Sequence, residues 1–157
     1  MSLSTQVLDA AKERGIMIAT AESCTGGMVA AALTDIPGSS AVVERGFVTY
    51  TNQAKIDMLG VSPATLDAHG AVSEEVAREM AAGALSHAPV NLTVSITGIA
   101  GPGGSEFKPE GRVCFGIADG NGVNSETVEY GALGRETVRA SAKDHALALL
   151  LERLQTG

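Results

Sequence analysis

The sequence has no tryptophan and only three phenylalanines and two tyrosines in 157 residues, so it lacks the aromatic faces on which a single strand of nucleic acid stacks its bases. Positive charge is also scarce. Eleven Lys and Arg stand against eighteen Asp and Glu, a net charge of −7 with no basic run, and a polyphosphate backbone would be repelled. No nucleic-acid partner is expected. Two cysteines, Cys24 and Cys114, are too few to staple a domain of this size and stand at no metal-ligand spacing, so both read as reduced thiols. No stretch reaches the roughly 18 consecutive apolar residues of a membrane span, and the first fifteen residues form a charged helical pattern rather than a leader. The expectation is a cytoplasmic protein with no membrane partner.

What the chain does have is small aliphatic bulk, 45% hydrophobic residues with much Ala, Val, Leu and Ile, enough for one packed domain over 1–157. Ser4 or Thr5 can cap a first helix that Gly15 ends, and residues 16–21 read as a buried strand. A turn through Glu22 to Gly27 leads to a small-residue helix, residues 42–50 read as a second strand, and Asn52 caps a helix closed by Gly60, with Lys55 in its first turn. Ser62-Pro63 opens a short helix and Ser73 caps a longer one. A strand over 90–97 precedes a glycine-rich loop from Gly98 to Gly111. Two strands flank the hairpin signal Asp119-Gly120-Asn121-Gly122, and a long helix runs from Arg135 to Leu154. Helices between strands, with a late hairpin, predict a three-layer α/β/α sandwich on a mixed, mostly parallel sheet.

Ser23 falls where a strand gives way to a helix, beside the free amides of Thr25, Gly26 and Gly27. A serine there can attack a carbonyl carbon, and amides at a helix start can hold the oxyanion that forms, at roughly 3–4 kcal/mol per donor. The same pattern also fits an ordinary N-cap at Ser23 or Thr25. A nucleophile needs a base. His69, His87 and His145 sit in a loop, at a helix end and in an amphipathic helix, with no triad pattern around them. Lys55 is the other choice, provided that burial and the helix N-terminus bring its pKa from about 10.4 to roughly 7 or 8; most lysines in first turns are merely solvated. Glu22, Cys24 and Lys55 make a rival set with a thiol nucleophile, although neighbouring side chains at a strand end diverge. The loop from Thr97 to Ser105 offers amides to an anion but lacks the endings that bind ATP or a dinucleotide, so no cofactor is expected. Arg135 and Arg139, one turn apart, could hold a phosphate or stand in solvent.

Four strings then occur in order: Thr20-Ala21-Glu22-Ser23-Cys24-Thr25-Gly26-Gly27; Gly46 to Asn52 followed by Lys55; Gly70-Ala71-Val72-Ser73-Glu74; and Ser95 to Gly104. Together they resemble the C-terminal domain family of the competence/damage-inducible protein CinA, over nearly the whole chain. That family includes stand-alone nicotinamide mononucleotide deamidases of pyridine nucleotide salvage. The resemblance implies a serine amidohydrolase with Ser23 as nucleophile and Lys55 as base, and with Tyr50 positioning or relaying the proton. It further implies that Thr97, Gly98 and Gly101 line the substrate cleft and that Arg135 faces the nucleotide phosphate. Gly134, the shortened Gly103-Gly104-Ser105 stretch and Glu110 depart from the usual pattern. A non-catalytic nucleotide-binding module linked to competence or DNA damage is the alternative. A symmetric homodimer is the expected assembly for a small α/β enzyme.

Overall fold

Hydroxyl residues and glycines set the helix ends. In the computed structural model, which describes residues 1–105 and 107–156, α1 (Leu3–Arg14) starts at Ser2, whose Oγ accepts from the Thr5 amide, and stops at Gly15 with a φ of 65°. The cap therefore lies ahead of the expected Ser4 or Thr5, and Ser4 is buried. β1 (Ile18–Glu22) is buried along its whole length and leads to α2 (Met28–Thr34). β2 (Val43–Val48) follows, then α3 (Asn52–Leu59), which is capped by Thr51 rather than Asn52 and closed by Gly60. α4 (Pro63–His69) begins with proline, which is preorganised for a first helical turn, and α5 (Glu74–His87) is capped by Ser73 as expected. β3 (Leu92–Gly98), β4 (Arg112–Asp119) and β5 (Gly122–Glu129) precede α6 (Arg135–Thr156). Glu106, inside the expected glycine-rich loop, and Gly157 lie outside the described residues.

The five strands are ordered β2-β1-β3-β4-β5. β1 pairs in parallel with β2 and β3, while β3–β4 and β4–β5 are antiparallel, so the sheet is mixed as expected, with parallel pairing confined to three strands. On one face α1, α2 and α6 pack over Ile18, Val94, Ile96 and Phe115; on the other α3, α4 and α5 pack over Ala19, Ala21 and Phe47. α6 alone commits Val138, Ala142, Ala146, Leu147, Leu150 and Leu154 to the core, and each of its buried leucines contributes about 1.5–3 kcal/mol. The alternating hydroxyls of β3 are buried too. Thr93 Oγ1 donates to Ala81 O, Ser95 Oγ to Ala77 O and Thr97 Oγ1 to Ala71 O, so these polar side chains are satisfied by the α5 backbone and the turn before it. α5 comes so close to the sheet that a Cβ at Gly116 would lie 2.3 Å from Ala77 O.

This topology puts a crevice at the C-terminal end of β1. From β1 the chain goes to β2 on one side and later returns to β3 on the other, the arrangement at which open α/β sheets bind ligands. Register brings Glu22 level with Val48 and with Ile96. The residues that follow Glu22, Val48 and Ile96, namely Ser23, Thr49-Tyr50 and Thr97-Gly98, therefore meet at one end of the sheet.

Candidate active site

Ser23 is the first residue past β1, and its amide still bonds to Ile96 O at 2.9 Å, which fixes its backbone to the neighbouring strand. Its Oγ lies 3.2 Å from Lys55 Nζ. Lys55 is 1% exposed, projecting from the first turn of α3 beneath the site, and its Nζ also lies 3.1 Å from Thr49 O and 3.3 Å from Tyr50 O. Burial penalises the charged form of an amine. In the neutral form two N–H groups can go to the two carbonyls, leaving the lone pair to accept the Ser23 hydroxyl hydrogen. The serine and lysine expected to act together are thus in hydrogen-bond contact.

Two of the amides expected at the start of α2, those of Gly26 and Gly27, are engaged elsewhere. The Gly26 amide donates to Ser23 O at 3.0 Å, closing a tight turn. Glu22, 1% exposed, folds its carboxyl group under the helix start: Oε1 accepts from Thr25 Oγ1 (2.6 Å), the Gly27 amide (3.2 Å) and the Val29 amide (3.0 Å), and Oε2 accepts from the Ala30 amide (3.0 Å). A side-chain acid has filled the anion site that a helix N-terminus offers. Thr25, Gly26 and Gly27 are scaffolding of the nucleophile loop, and none of them lines the cleft.

The cleft has a volume of about 310 Å³, with Ser23, Cys24 and Lys55 on one side and the chain from Thr97 to Ser105 on the other. Thr97 lines it but is only 1% exposed, and its hydroxyl is spent on Ala71 O. Gly98 and Gly101 line it through their backbone. Arg135 reaches the rim and donates to Gly101 O and to the Tyr50 hydroxyl, both at 2.8 Å. Tyr50 therefore presents its carbonyl, not its phenol, to the Ser23–Lys55 pair. Arg139, one turn along α6, points instead into the nucleophile loop, with Nε 2.9 Å from Cys24 O and Nη2 3.5 Å from Thr25 O. Of the two arginines, only Arg135 borders the cleft.

Comparison with known proteins places the chain in a family and agrees with its fold. Residues 1–154 match the CinA C-terminal domain. The chain belongs to the CinA C-terminal domain family. It is 53% identical over 154 residues to the nicotinamide-nucleotide amidohydrolase PncC of Escherichia coli (strain K12), covering 98% of this chain and 93% of that protein. Among solved structures, the competence/damage inducible protein CihA from Agrobacterium tumefaciens superposes with a TM-score of 0.93 at 49% identity, over 98% of this chain and 94% of that one. A CinA superfamily protein from Klebsiella pneumoniae gives 0.94 at 37% identity, over 99% and 97%.

Three residues of this CinA-family site escaped the sequence reading. Glu22 was seen only as a possible partner of a thiol. Glu110, noted merely as a departure, accepts from the Gly103 amide at 2.5 Å, and a Cβ at Gly101 would lie 2.7 Å from its carboxyl carbon, so it props the glycine-rich wall from behind. Lys108 Nζ donates to Val72 O (2.6 Å) and His69 O (2.5 Å), tying that wall to the turn before α5. Cys24 borders the cleft but is 5% exposed, and burial pushes its thiol up to about 11, so it is a poor source of thiolate near neutrality. The histidines stay outside. His69 lies 3.6 Å from Glu75, His87 bonds to Gly83 O, and His145 packs on Phe115 with ring centroids 4.6 Å apart. Among the described residues no group of three or more His, Cys, Asp or Glu could hold a metal ion, and no helix is long and apolar enough to cross a membrane.

Proposed function

We propose that this chain hydrolyses the carboxamide of nicotinamide mononucleotide, giving nicotinate mononucleotide and ammonia, with Ser23 as nucleophile and Lys55 as general base. The observation that carries the mechanism is the 3.2 Å contact between Ser23 Oγ and the buried Lys55 Nζ at the head of the cleft. The activity named for the Escherichia coli relative supports the choice of substrate. Arg135 supports a phosphate at the cleft rim, since it donates to a carbonyl and a phenol and forms no ion pair among the described residues.

In the first step Ser23 Oγ attacks the carboxamide carbon while neutral Lys55 takes the hydroxyl proton. The tetrahedral intermediate collapses as its C–N bond breaks, Lys55 returns the proton to nitrogen, and ammonia leaves an ester on Ser23. Water then attacks the ester carbon, Lys55 accepts its proton, and Ser23 leaves with that proton restored. Each intermediate carries an oxyanion, for which Gly98 is the assigned donor. Ile96 O faces β1 and accepts from the Ser23 amide; two residues on, the Gly98 N–H points to the same side, where β1 has ended. We further assign a symmetric homodimer, since the sheet order leaves the outer edges of β2 and β5 unpaired.

Ammonia release from nicotinamide mononucleotide in chelator tests the assignment. Ser23→Ala and Lys55→Ala should each lose about a thousandfold or more in kcat, and Cys24→Ala should stay within about tenfold of the parent. Turnover that survives Ser23→Ala and vanishes in Cys24→Ala would transfer the chemistry to the thiol.

A further inference from the structure

Tyr50 touches both halves of the site. Its phenolic oxygen accepts from Arg135 Nη2 at 2.8 Å, while its carbonyl oxygen lies 3.3 Å from Lys55 Nζ and 3.4 Å from Ser23 Oγ. The flanking backbone is anchored on each side: the Thr49 amide bonds to Glu22 O at 2.9 Å, and Thr51 caps the helix that carries Lys55. Tyr50 is nonetheless 58% exposed as a residue, so packing alone does not fix its side chain. A phenol that accepts from a guanidinium keeps its own hydrogen for a second partner, and Arg135 has N–H groups beyond the two it spends on Gly101 O and Tyr50. An anion at the rim can therefore accept from Arg135 and from the Tyr50 hydroxyl together.

We propose that Tyr50 is a positioning residue through which the substrate's phosphate aligns the Ser23–Lys55 pair, so that the phosphate raises kcat and not affinity alone. The proposal rests on the reading of the site given above. A phosphomonoester held by Arg135 and the Tyr50 hydroxyl restrains residue 50, and the carbonyl of that same residue is one of the two that orient the lysine amine. Binding energy from a group remote from the reacting carbon is thereby spent on geometry at the carbon.

The experiment compares nicotinamide mononucleotide with nicotinamide riboside, which has the same carboxamide, ring and sugar without the phosphate, in the parent protein and in Tyr50→Phe. The parent should turn over the nucleotide with a kcat at least tenfold above that of the riboside, and Tyr50→Phe should shrink this kcat ratio at least fivefold. A merely structural role lowers both substrates together and leaves the ratio where it was. An unchanged ratio, or a change confined to KM, overturns the coupling while leaving the amidase reading intact; ammonia from neither substrate in the parent overturns both. Should riboside turnover fall below detection, kcat on the nucleotide in Tyr50→Phe, Arg135→Ala and the double variant decides. Losses that do not add support one shared route, and losses that multiply independently overturn it.

Discussion

Replacing Glu22 tests how the nucleophile loop is held. Four donors converge on its carboxyl group, three on Oε1 and one on Oε2, in a site 1% exposed to solvent. In Glu22→Gln the side-chain oxygen can stay with Thr25 Oγ1 and the amides of Gly27 and Val29, which puts the new NH2 group against the Ala30 amide, donor to donor. One buried bond lost and one N–H left unsatisfied should cost about 1–3 kcal/mol. For a chain of this length that lowers Tm by roughly 2–4 °C per kcal/mol. Glu22→Ala abandons all four donors and should cost about 4–5 kcal/mol, a large part of the roughly 5–15 kcal/mol that holds an ordinary domain together. Because the same bonds set the turn after Ser23, kcat should fall as well, about a hundredfold for a displacement near 1 Å. Urea unfolding monitored by circular dichroism, with an unchanged m-value, gives the stability change directly. A Glu22→Gln protein that unfolds at the parental midpoint and keeps the parental kcat would refute the reasoning.

Cys24 makes a prediction with a definite sign. Its thiol is held at about 11 against an ordinary value of 9.0, chiefly by burial, so between these values the folded chain keeps a proton that the unfolded chain gives up. The stabilisation is complete below about pH 9 and is lost as the pH rises to about 11, amounting to about 3 kcal/mol. Urea midpoints at pH 8 and pH 11 should thus fall further in the parent than in Cys24→Ala, and equal falls would contradict the burial argument. The homodimer is checked by sedimentation equilibrium at micromolar concentration: twice the chain mass is expected, and a monomer mass overturns the assignment.

What could be read from the sequence was what is decided locally. Gly15, Gly60 and Ser73 end or begin helices because a left-handed glycine or a capping hydroxyl acts within a few residues. Where two capping residues stand side by side, as at Thr51-Asn52, local chemistry does not choose between them, and the structure uses Thr51. Ser23 and Lys55, 32 residues apart, became a pair only through the family resemblance, since their contact depends on how β1 and α3 meet at the sheet edge. The amides of Gly26 and Gly27 looked free because nothing in the string Glu22 to Gly27 tells whether the glutamate turns outward or folds beneath the helix. Arg135 and Arg139 are equivalent by spacing. The packing of α6 separates them, directing one to the cleft rim and the other to the carbonyls of Cys24 and Thr25. Tyr50 lines the cleft, but its two ends point to different partners, which only the fold could reveal.

Intact-protein and peptide mass spectrometry of the enzyme, quenched in acid during turnover of nicotinamide mononucleotide, reads out whether Ser23 carries the acyl group. The expected result is a nicotinate mononucleotide ester on the peptide containing Ser23, absent in Ser23→Ala and still present in Cys24→Ala. Ammonia released at the parental rate by Ser23→Ala, or an adduct that moves to Cys24, would contradict it.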